Sequence, residues 1–326
     1  MSSTLVVAQD LAKTFDVSPP WLNRVLDGKP RQLLHAVDGV SFEIERGQTL
    51  ALVGESGCGK STVARLLVGL YQPTRGSMQF DGQDAHAAYR SDQAREIRQR
   101  IQMIFQDPYA SLNPRWTVES IVGEPLLEHG LITDPAELKQ RVGELLASVG
   151  LSALDMVKYP HQFSGGQRQR ISIARALATA PEFLVCDEPT SALDVSVQAQ
   201  VLNIMKDLQR QRGLTYLFIS HNLAVVRHVS DRVGVMYLGR LVELADKHTL
   251  FSQPQHPYTR MLLDAIPKMH QTGRARTPVQ GEVPNPLNPP SGCTFHPRCP
   301  QASERCRQER PALRQLGGIQ IACHHV

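Results

Sequence analysis

The sequence predicts an α/β protein in which a largely parallel sheet is covered by helices on both faces. The first observation is a set of short apolar runs typical of buried strands, at Thr49–Val53, Phe183–Cys186 and Thr215–Ile219. The second is that a segment with helical spacing of apolar residues follows each run. The third is a glycine-rich loop that joins the first strand to its helix. Together they indicate successive strand–helix units.

The remaining segments divide the 326 residues further. Leu5–Ala8 and Val40–Ile44 have the composition of short strands, and a loop-like insertion rich in proline, glycine and charge separates them. Residues from about 107 to 178 show helical spacing without strands, which predicts a helical subdomain inserted into the core. Beyond about 250 the chain is rich in proline, glycine and arginine. We therefore expect one domain over 1–250 and an irregular, cysteine-containing C-terminal region over 251–326.

Composition and charge indicate a folded protein that does not bind nucleic acid. Hydrophobic residues make up 41% and charged residues 20% of the chain, which is ordinary for a globular protein. The net charge of +4 arises from 35 basic and 31 acidic residues, which does not indicate a concentrated basic face. The N-terminus lacks the pattern of a signal peptide. The sequence also has no run of about 20 apolar residues, the length needed to cross a bilayer. We expect a cytosolic protein that reaches a membrane only through partners.

The glycine-rich loop matches a phosphate-binding pattern and has the strand before it and the helix after it that this pattern requires. Glycines let backbone N–H groups converge on phosphate oxygens, and the helix N-terminus adds a favourable dipole. Lys60 would contact the β- and γ-phosphates, and the Ser61 hydroxyl would bind Mg²⁺. The alternative is a glycine-rich turn with a surface lysine. The candidate nucleotide-binding residues of this loop are Gly54, Glu55, Ser56, Gly57, Cys58, Gly59, Lys60, Ser61 and Thr62.

Two adjacent carboxylates follow the apolar run Phe183–Cys186. Asp187 would hold Mg²⁺, directly or through water. Glu188 would polarise the attacking water as general base. Alone, such a pair could equally be solvated acids at a strand end. Its position downstream of a phosphate-binding loop favours the catalytic interpretation.

A second anion site is indicated at Ser164, Gly165, Gly166 and Gln167, where a serine suited to N-capping begins a helix. With this motif the chain resembles the ATPase subunits of ABC transporters, although the signature here reads FSGGQ rather than the commoner LSGGQ. The resemblance implies a P-loop NTPase cassette in which this turn grips the γ-phosphate of ATP bound to another cassette. Two subunits would then enclose two ATP molecules head-to-tail.

The other motifs of that family occur in the family's order, and the resemblance implies their roles. Gln106, in IFQDP, would contact Mg²⁺ and the attacking water, and His221, in FISHN, would contact the γ-phosphate. Asp194 ends the SALD motif of the D-loop, and Phe15 would stack on adenine, although a lone aromatic near a strand is usually core. Asn222 stands where the family often has aspartate, which affects the hydrogen bonds around the histidine.

Four longer stretches narrow the resemblance to the ATPase subunits of dipeptide and oligopeptide importers, closest to the second, F-type, ATPase of a dipeptide importer. They are FQDPYASLNPR, EPTSALDVSVQAQVLN, HPYTRMLLDAIP and GEVPNPLNPPSGCTFHPRC. This resemblance implies an ATP-hydrolysing motor on the cytoplasmic face of the inner membrane. It also implies partners: a second, different ATPase subunit, two transmembrane permease subunits and an extracytoplasmic peptide-binding protein.

Four cysteines crowd into the C-terminal region with the spacing C-x5-C-x6-C-x16-C: Cys293, Cys299, Cys306 and Cys323. Four thiolates can hold a tetrahedral Zn²⁺ or a [4Fe–4S] cluster, and the paired C-x2-C spacing typical of zinc is absent. The resemblance to peptide importers suggests the iron–sulfur cluster, while zinc and free thiols remain alternatives. Cys58 and Cys186 are expected to pack in the core.

Other functions are less consistent with the sequence. Soluble ABC ATPases of DNA repair carry long heptad insertions and those of translation usually carry two cassettes, and neither feature occurs here. A non-hydrolysing regulatory cassette is disfavoured by intact Lys60, Glu188 and His221. Within transport, a motor for nickel, opines or another small solute remains an alternative, because the cassette does not touch the cargo.

Overall fold

The computed structural model describes residues 4–26, 28, 30–265 and 281–326. The strands are β1 (Thr4–Asp16), β2 (Leu33–Glu45), β3 (Thr49–Val53), β4 (Arg75–Phe80), β5 (Gln83–Asp84), β6 (Ile101–Ile104), β7 (Phe183–Asp187), β8 (Thr215–Ile219), β9 (Arg232–Tyr237), β10 (Arg240–Asp246), β11 (Arg314–Leu316) and β12 (Ile319–Ile321). The α-helices are α1 (Trp21–Leu26), α2 (Lys60–Leu67), α3 (Ala85–Ala88), α4 (Ala94–Arg100), α5 (Pro108–Ser111), α6 (Val118–Glu128), α7 (Pro135–Ser148), α8 (Gly165–Leu177), α9 (Val195–Arg212), α10 (Leu223–Val229), α11 (Lys247–Ser252), α12 (Pro257–Asp264) and α13 (Glu304–Gln308).

The larger sheet has the strand order β11-β12-β10-β9-β3-β8-β7-β6. Its central part is parallel: β3 pairs with β8 and β9, and β7 pairs with β6 and β8. Every residue of β3, β7 and β8 is buried, as expected for a sheet covered on both faces. The predicted α/β fold is therefore confirmed. Because the central strands are parallel, their carboxyl ends meet at one edge of the sheet.

A smaller antiparallel sheet has the order β2-β1-β4-β5. The long strands β1 and β2 pair from Thr4↔Glu45 to Asp16↔Leu33, with register shifts along the way. The sequence indicated only the short segments Leu5–Ala8 and Val40–Ile44, because irregularities in the ladder interrupt the alternating pattern. The insertion between the two strands, expected to be a loop, contains the short helix α1.

The segment 107–178 carries α5 to α8 and contains no strand, in agreement with the predicted helical subdomain. Side chains of Thr117, Asp134 and Ser164 accept hydrogen bonds from backbone N–H groups in the first turns of α6, α7 and α8. These N–H groups have no acceptor within their own helix, so the side chains stabilise the helix starts. Buried apolar residues of these helices, such as Val122 and Leu145, belong to the same core cluster as the central sheet.

The C-terminal region is more regular than the sequence indicated. Its strand β12 pairs with β10, and β11 pairs with β12, so the region adds two strands to the larger sheet. These strands have three residues each, too short for a periodic pattern. Phe295 is 1% exposed and packs against Tyr237 of β9 and Tyr258 of α12, with ring centroids 5.3 Å apart in both cases. The expected irregular tail is therefore anchored in the core of the cassette.

Among the residues that the structure describes, no helix is both long and apolar enough to cross a membrane.

The anchoring of the C-terminal region can be measured with Phe295→Ala. Removing this buried ring should lower the free energy of unfolding by about 3–5 kcal/mol, because the loss of buried apolar surface and the cavity left behind both destabilise the fold. Chemical denaturation of the purified chain would measure the change. Leu316→Ala in β11 is the matched control, since Leu316 is 47% exposed and should cost no more than about 0.5 kcal/mol. Equal effects of the two substitutions would contradict a shared core.

Candidate active site

The loop between β3 and α2 is held in a conformation that depends on glycine. Gly54 has φ +153°, and a Cβ atom there would lie 2.2 Å from the Met236 carbonyl oxygen. Gly59 has φ +101°, and its Cβ would lie 2.2 Å from the Ala36 carbonyl oxygen. Helix α2 starts at the next residue, so the N–H groups of its first turn have no partners within the helix. This arrangement suits a bound anion.

Lys60 lies inside this loop rather than on the surface. Its side chain is buried, and the ammonium Nζ donates to the carbonyl oxygens of Gly54 at 2.8 Å and Glu55 at 3.0 Å. The loop therefore closes around its own cation. A phosphate that enters the loop finds a positive charge already positioned.

Ser61 and Asp187 meet at the carboxyl end of β7. The Ser61 hydroxyl donates to Asp187 Oδ1 at 2.9 Å, and Asp187 is 3% exposed. Burial raises the pKa of the Asp187 carboxyl above its usual range, while the hydrogen bond from Ser61 and the positive charges of Arg65 and Lys60 oppose the rise. A hydroxyl and a buried carboxylate are oxygen ligands of the kind that Mg²⁺ prefers. A cation here would favour the charged carboxylate.

Two side chains converge on Glu188. Gln106 Nε2 donates to Glu188 Oε2 at 3.2 Å, and His221 Nδ1 lies 3.0 Å from the same oxygen. Glu188 has a positive φ of 46°, which is uncommon for a residue with a side chain. Its backbone N–H donates to the Ile219 carbonyl at the end of β8. The strained turn is thus fixed by the neighbouring strand, and the carboxylate is held in one orientation.

One cleft of about 740 Å³ is bordered by Lys60, Ser61, Gln106, Glu188 and His221, whereas Asp187 lies behind Ser61 and is not among the described residues that line it. Phe15 lies at its wall with its ring edge-on to Tyr71, at a centroid distance of 5.3 Å. Pro286 of the C-terminal region also lines the cleft. The sequence did not indicate that Tyr71 or Pro286 lines this cleft. Tyr71 belongs to no pattern with fixed spacing, and the resemblance gave no role to Pro286 within the stretch GEVPNPLNPPSGCTFHPRC. The predicted residues that line the cleft are Phe15, Ser56, Gly57, Gly59, Lys60, Ser61, Thr62, Gln106, Glu188 and His221.

The turn at Ser164 lies elsewhere. Ser164 Oγ accepts from the Gln167 N–H, and Gln167 Oε1 accepts from the Ser164 N–H, so the two form a capping box at the start of α8. Both residues are exposed, and no part of this turn is among the described residues that line the cleft. Asp194 caps α9 through the Val197 N–H, and a Cβ at Gly166 would lie 2.2 Å from Val197. The signature turn and the D-loop helix therefore pack together on another surface.

The C-terminal cysteines are neighbours, but they do not form a finished metal site. Burial, and then the nearby thiols of Cys306, Cys299 and Cys323, raise the pKa of Cys293 to about 11. Cys306 Sγ lies 3.4 Å from His325 Nε2. Within the described ranges, no group of three or more His, Cys, Asp or Glu side chains has the geometry to hold a metal ion.

Cys58 and Cys186 are 3% and 0% exposed, so both pack in the core as expected. Burial raises the pKa of both thiols, which keeps them protonated and unreactive.

The sequence is similar to known protein families and to individual transport proteins. The family profile described as ABC transporter matches residues 37–191, and that of the oligopeptide/dipeptide transporter C-terminal region matches residues 242–306. The di/tripeptide transport ATP-binding protein DppF of Pseudomonas aeruginosa is 51% identical over 323 residues, which cover 99% of this chain and 98% of that protein. The chain belongs to the ABC transporter ATP-binding proteins. The oligopeptide transport ATP-binding protein AppF of Bacillus subtilis is 49% identical over 98% of this chain and 97% of its own length.

Solved structures resemble this ABC cassette as well. The dimeric structure of a post-hydrolysis state of the ATP-binding cassette MJ0796, bound to ADP and Pi, matches with a TM-score of 0.65 and 26% identity. The match covers 74% of this chain and 99% of the other. ATP and Mg²⁺ are the cofactors that an ABC ATPase uses. The Lys60 ammonium suits the phosphates of ATP, and the side-chain oxygens of Ser61 and Asp187 suit Mg²⁺.

The role of Glu188 can be tested with Glu188→Gln. If the carboxylate takes a proton from water, the amide should retain ATP binding while hydrolysis slows by about 10²–10⁴-fold. Equilibrium ATP binding and phosphate release, measured on the same preparation, would separate the two. Glu304→Gln on the exposed helix α13 is the control. Turnover at the wild-type rate in Glu188→Gln would eliminate Glu188 as the base.

Proposed function

We propose that the chain is the ATP-hydrolysing motor subunit of an importer for dipeptides or short oligopeptides. The observation that carries this proposal is the meeting of Lys60, Ser61 and Glu188 in one cleft, in a cassette whose C-terminal region matches that of oligopeptide/dipeptide transporters. The similarity to di/tripeptide and oligopeptide transport proteins over nearly the whole chain supports it.

For the residues in the cleft and for Asp187 beside it, we propose the following roles. Lys60 and the loop N–H groups bind the β- and γ-phosphates, and Phe15 stacks on adenine. Ser61, Asp187 and Gln106 hold Mg²⁺, which neutralises charge on the phosphates when it is bound. Glu188 accepts the proton of the attacking water.

His221 and Gln106 hold Glu188 through its Oε2 atom, as their distances of 3.0 and 3.2 Å indicate. This leaves the carboxylate oriented for the water, while His221 remains 60% exposed at the mouth of the cleft. His221 is therefore placed to contact a γ-phosphate from its exposed side.

A complete site needs a second cassette. Ser164, Gly165, Gly166 and Gln167 lie outside the cleft of their own chain, with Ser164 exposed at the N-terminus of α8. We propose that this turn, with Asp194 beside it, caps ATP in the cleft of a partner ATPase, which we expect to be a different chain. The dimeric structure of the similar cassette MJ0796 supports a two-cassette arrangement.

A groove on the helical subdomain suits the permease partners. It has a volume of about 480 Å³ and lies between α6 and α7, with Trp116 and Leu127 beside Glu119, Glu124 and Glu128. An apolar groove with an acidic rim fits a short cytoplasmic helix that carries basic residues. We propose that two permease subunits dock here, which would place the motor on the cytoplasmic face of the inner membrane. An extracytoplasmic binding protein would deliver the peptide.

This proposal can be tested on the assembled transporter in vesicles. Purified binding protein loaded with a dipeptide, a longer peptide or Ni²⁺ would be added, and ATP hydrolysis would be measured. Peptide should stimulate hydrolysis and Ni²⁺ should not. A complex that carries Lys60→Ala is the control and should show no stimulation with any ligand. If only Ni²⁺ stimulated hydrolysis, the cargo would be nickel and not peptide. If the chain failed to assemble with permeases, the assignment as a transporter motor would be wrong.

We also propose that Cys293, Cys299, Cys306 and Cys323 hold a [4Fe–4S] cluster in the C-terminal region, residues 251–326. Burial, together with the neighbouring thiols, raises the pKa of Cys293 and of Cys299, and this proximity supports a shared site. The described side-chain positions do not yet form that site, so the thiols would have to rotate towards one another. Bound metal would lower the thiol pKa values and so offset the effect of burial.

Iron and acid-labile sulfide assays on protein purified without oxygen would test the cluster. We expect about four iron and four sulfide per chain, from the composition of such clusters. Cys299→Ser should lose both, whereas Cys186→Ala, at a core cysteine, should retain them. Zinc in place of iron, or neither metal, would overturn the cluster and leave the alternatives of a zinc site or free thiols.

A further inference from the structure

The phosphate-binding loop is tied to the C-terminal region by an ion pair that no motif indicated. Arg298 and Glu55 are 243 residues apart in the chain, yet their side chains form two parallel hydrogen bonds. Arg298 Nη1 lies 2.7 Å from Glu55 Oε2, and Arg298 Nη2 lies 2.9 Å from Glu55 Oε1. The Arg298 side chain is only 2% exposed. This two-pronged geometry fixes orientation as well as distance.

Two tyrosines complete the contact. The Tyr258 hydroxyl accepts from the Glu55 N–H at 3.0 Å and donates to Glu55 Oε2 at 3.4 Å. Arg298 Nη1 also donates to the Tyr237 hydroxyl at 3.4 Å. Glu55 is therefore held at both its backbone and its side chain by Arg298 and Tyr258, which belong to the C-terminal region.

The position of Glu55 matters because Lys60 depends on it. Lys60 Nζ donates to the Glu55 carbonyl oxygen at 3.0 Å, so a shift of Glu55 moves one of the acceptors that position the ammonium. The Glu55 carboxylate also carries a negative charge within the loop that receives a triphosphate. Arg298 neutralises that charge at close range, where a low dielectric makes the interaction strong.

We propose that Arg298 is a positioning residue for the phosphate-binding loop, and that it sets nucleotide affinity through Glu55. Arg298 is not among the described residues that line the cleft. Loss of Arg298 removes the ion pair and leaves the Glu55 carboxylate with the weaker hydrogen bond from the Tyr258 hydroxyl. The carboxylate can then turn towards the incoming phosphates and repel them. The effect falls on binding rather than on the chemical step, since the groups around Glu188 are untouched.

The test compares Arg298→Met with the wild-type full chain by equilibrium titration with ATP and by steady-state hydrolysis. We expect the Kd for ATP and the KM to rise on the order of 10-fold, as for the loss of a charge-assisted hydrogen bond. The kcat at saturating ATP should stay within about 2-fold of wild type, because the base is intact. Arg310→Met is the matched control, since Arg310 pairs with Asp38 across the same boundary but does not contact the loop.

A double-mutant cycle separates this role from a general loss of stability. Glu55→Gln removes the carboxylate that Arg298 positions, so Arg298→Met should raise the Kd no further in that background. The double variant removes both members of this ion pair, so the Glu55 carboxylate does not remain without Arg298, and its Tm should exceed that of Arg298→Met alone. Additive effects on the Kd, or a fall in kcat with an unchanged Kd, would overturn the proposal.

Discussion

The organisation of the site follows from the need to hold highly charged phosphates next to a buried lysine. Lys60 is 5% exposed, and such a cation is tolerated only where acceptors or anions surround it. In this chain the carbonyl oxygens of Gly54 and Glu55 fill that role. The glycines, the strand before the loop and the helix after it all serve to bring those carbonyls to one point. The free-energy cost of removing the Lys60 ammonium from water is therefore offset by these acceptors before any phosphate binds.

The parallel sheet explains why residues from distant motifs meet. Ser61 follows β3, Gln106 follows β6, Asp187 ends β7 and His221 follows β8. Because these strands run in the same direction, each motif lies at the carboxyl edge, where ligands of open α/β sheets bind. The sequence could predict this much, since each motif came with its own strand. The distances around Glu188 could not be predicted, because they depend on a left-handed turn that no local pattern encodes.

Other parts of the molecule were beyond prediction for a different reason. The pairing of β12 with β10 joins segments about eighty residues apart through three-residue strands, and Arg298 reaches Glu55 from a segment rich in proline. Neither contact has a periodicity that a sequence pattern could report. The four cysteines show the converse case. Their grouping was evident from the sequence, whereas the arrangement of their sulfur atoms depends on side-chain rotations that spacing does not determine.

In the role proposed for Arg298, the same contacts link the C-terminal region to nucleotide binding. Ion pairs taken out of water are weak contributors to stability, because desolvation offsets their attraction. The pair between Arg298 and Glu55 is therefore better explained by what it fixes than by the stability it adds. Tyr258 belongs to α12 and packs on Phe295. Its hydroxyl accepts a hydrogen bond from the backbone N–H of the same Glu55. A rearrangement around Phe295 would thus reach the phosphate-binding loop through two hydrogen-bonded groups. The C-terminal region, which matches the oligopeptide/dipeptide transporter profile, is thus linked by hydrogen bonds to the loop that we propose binds ATP.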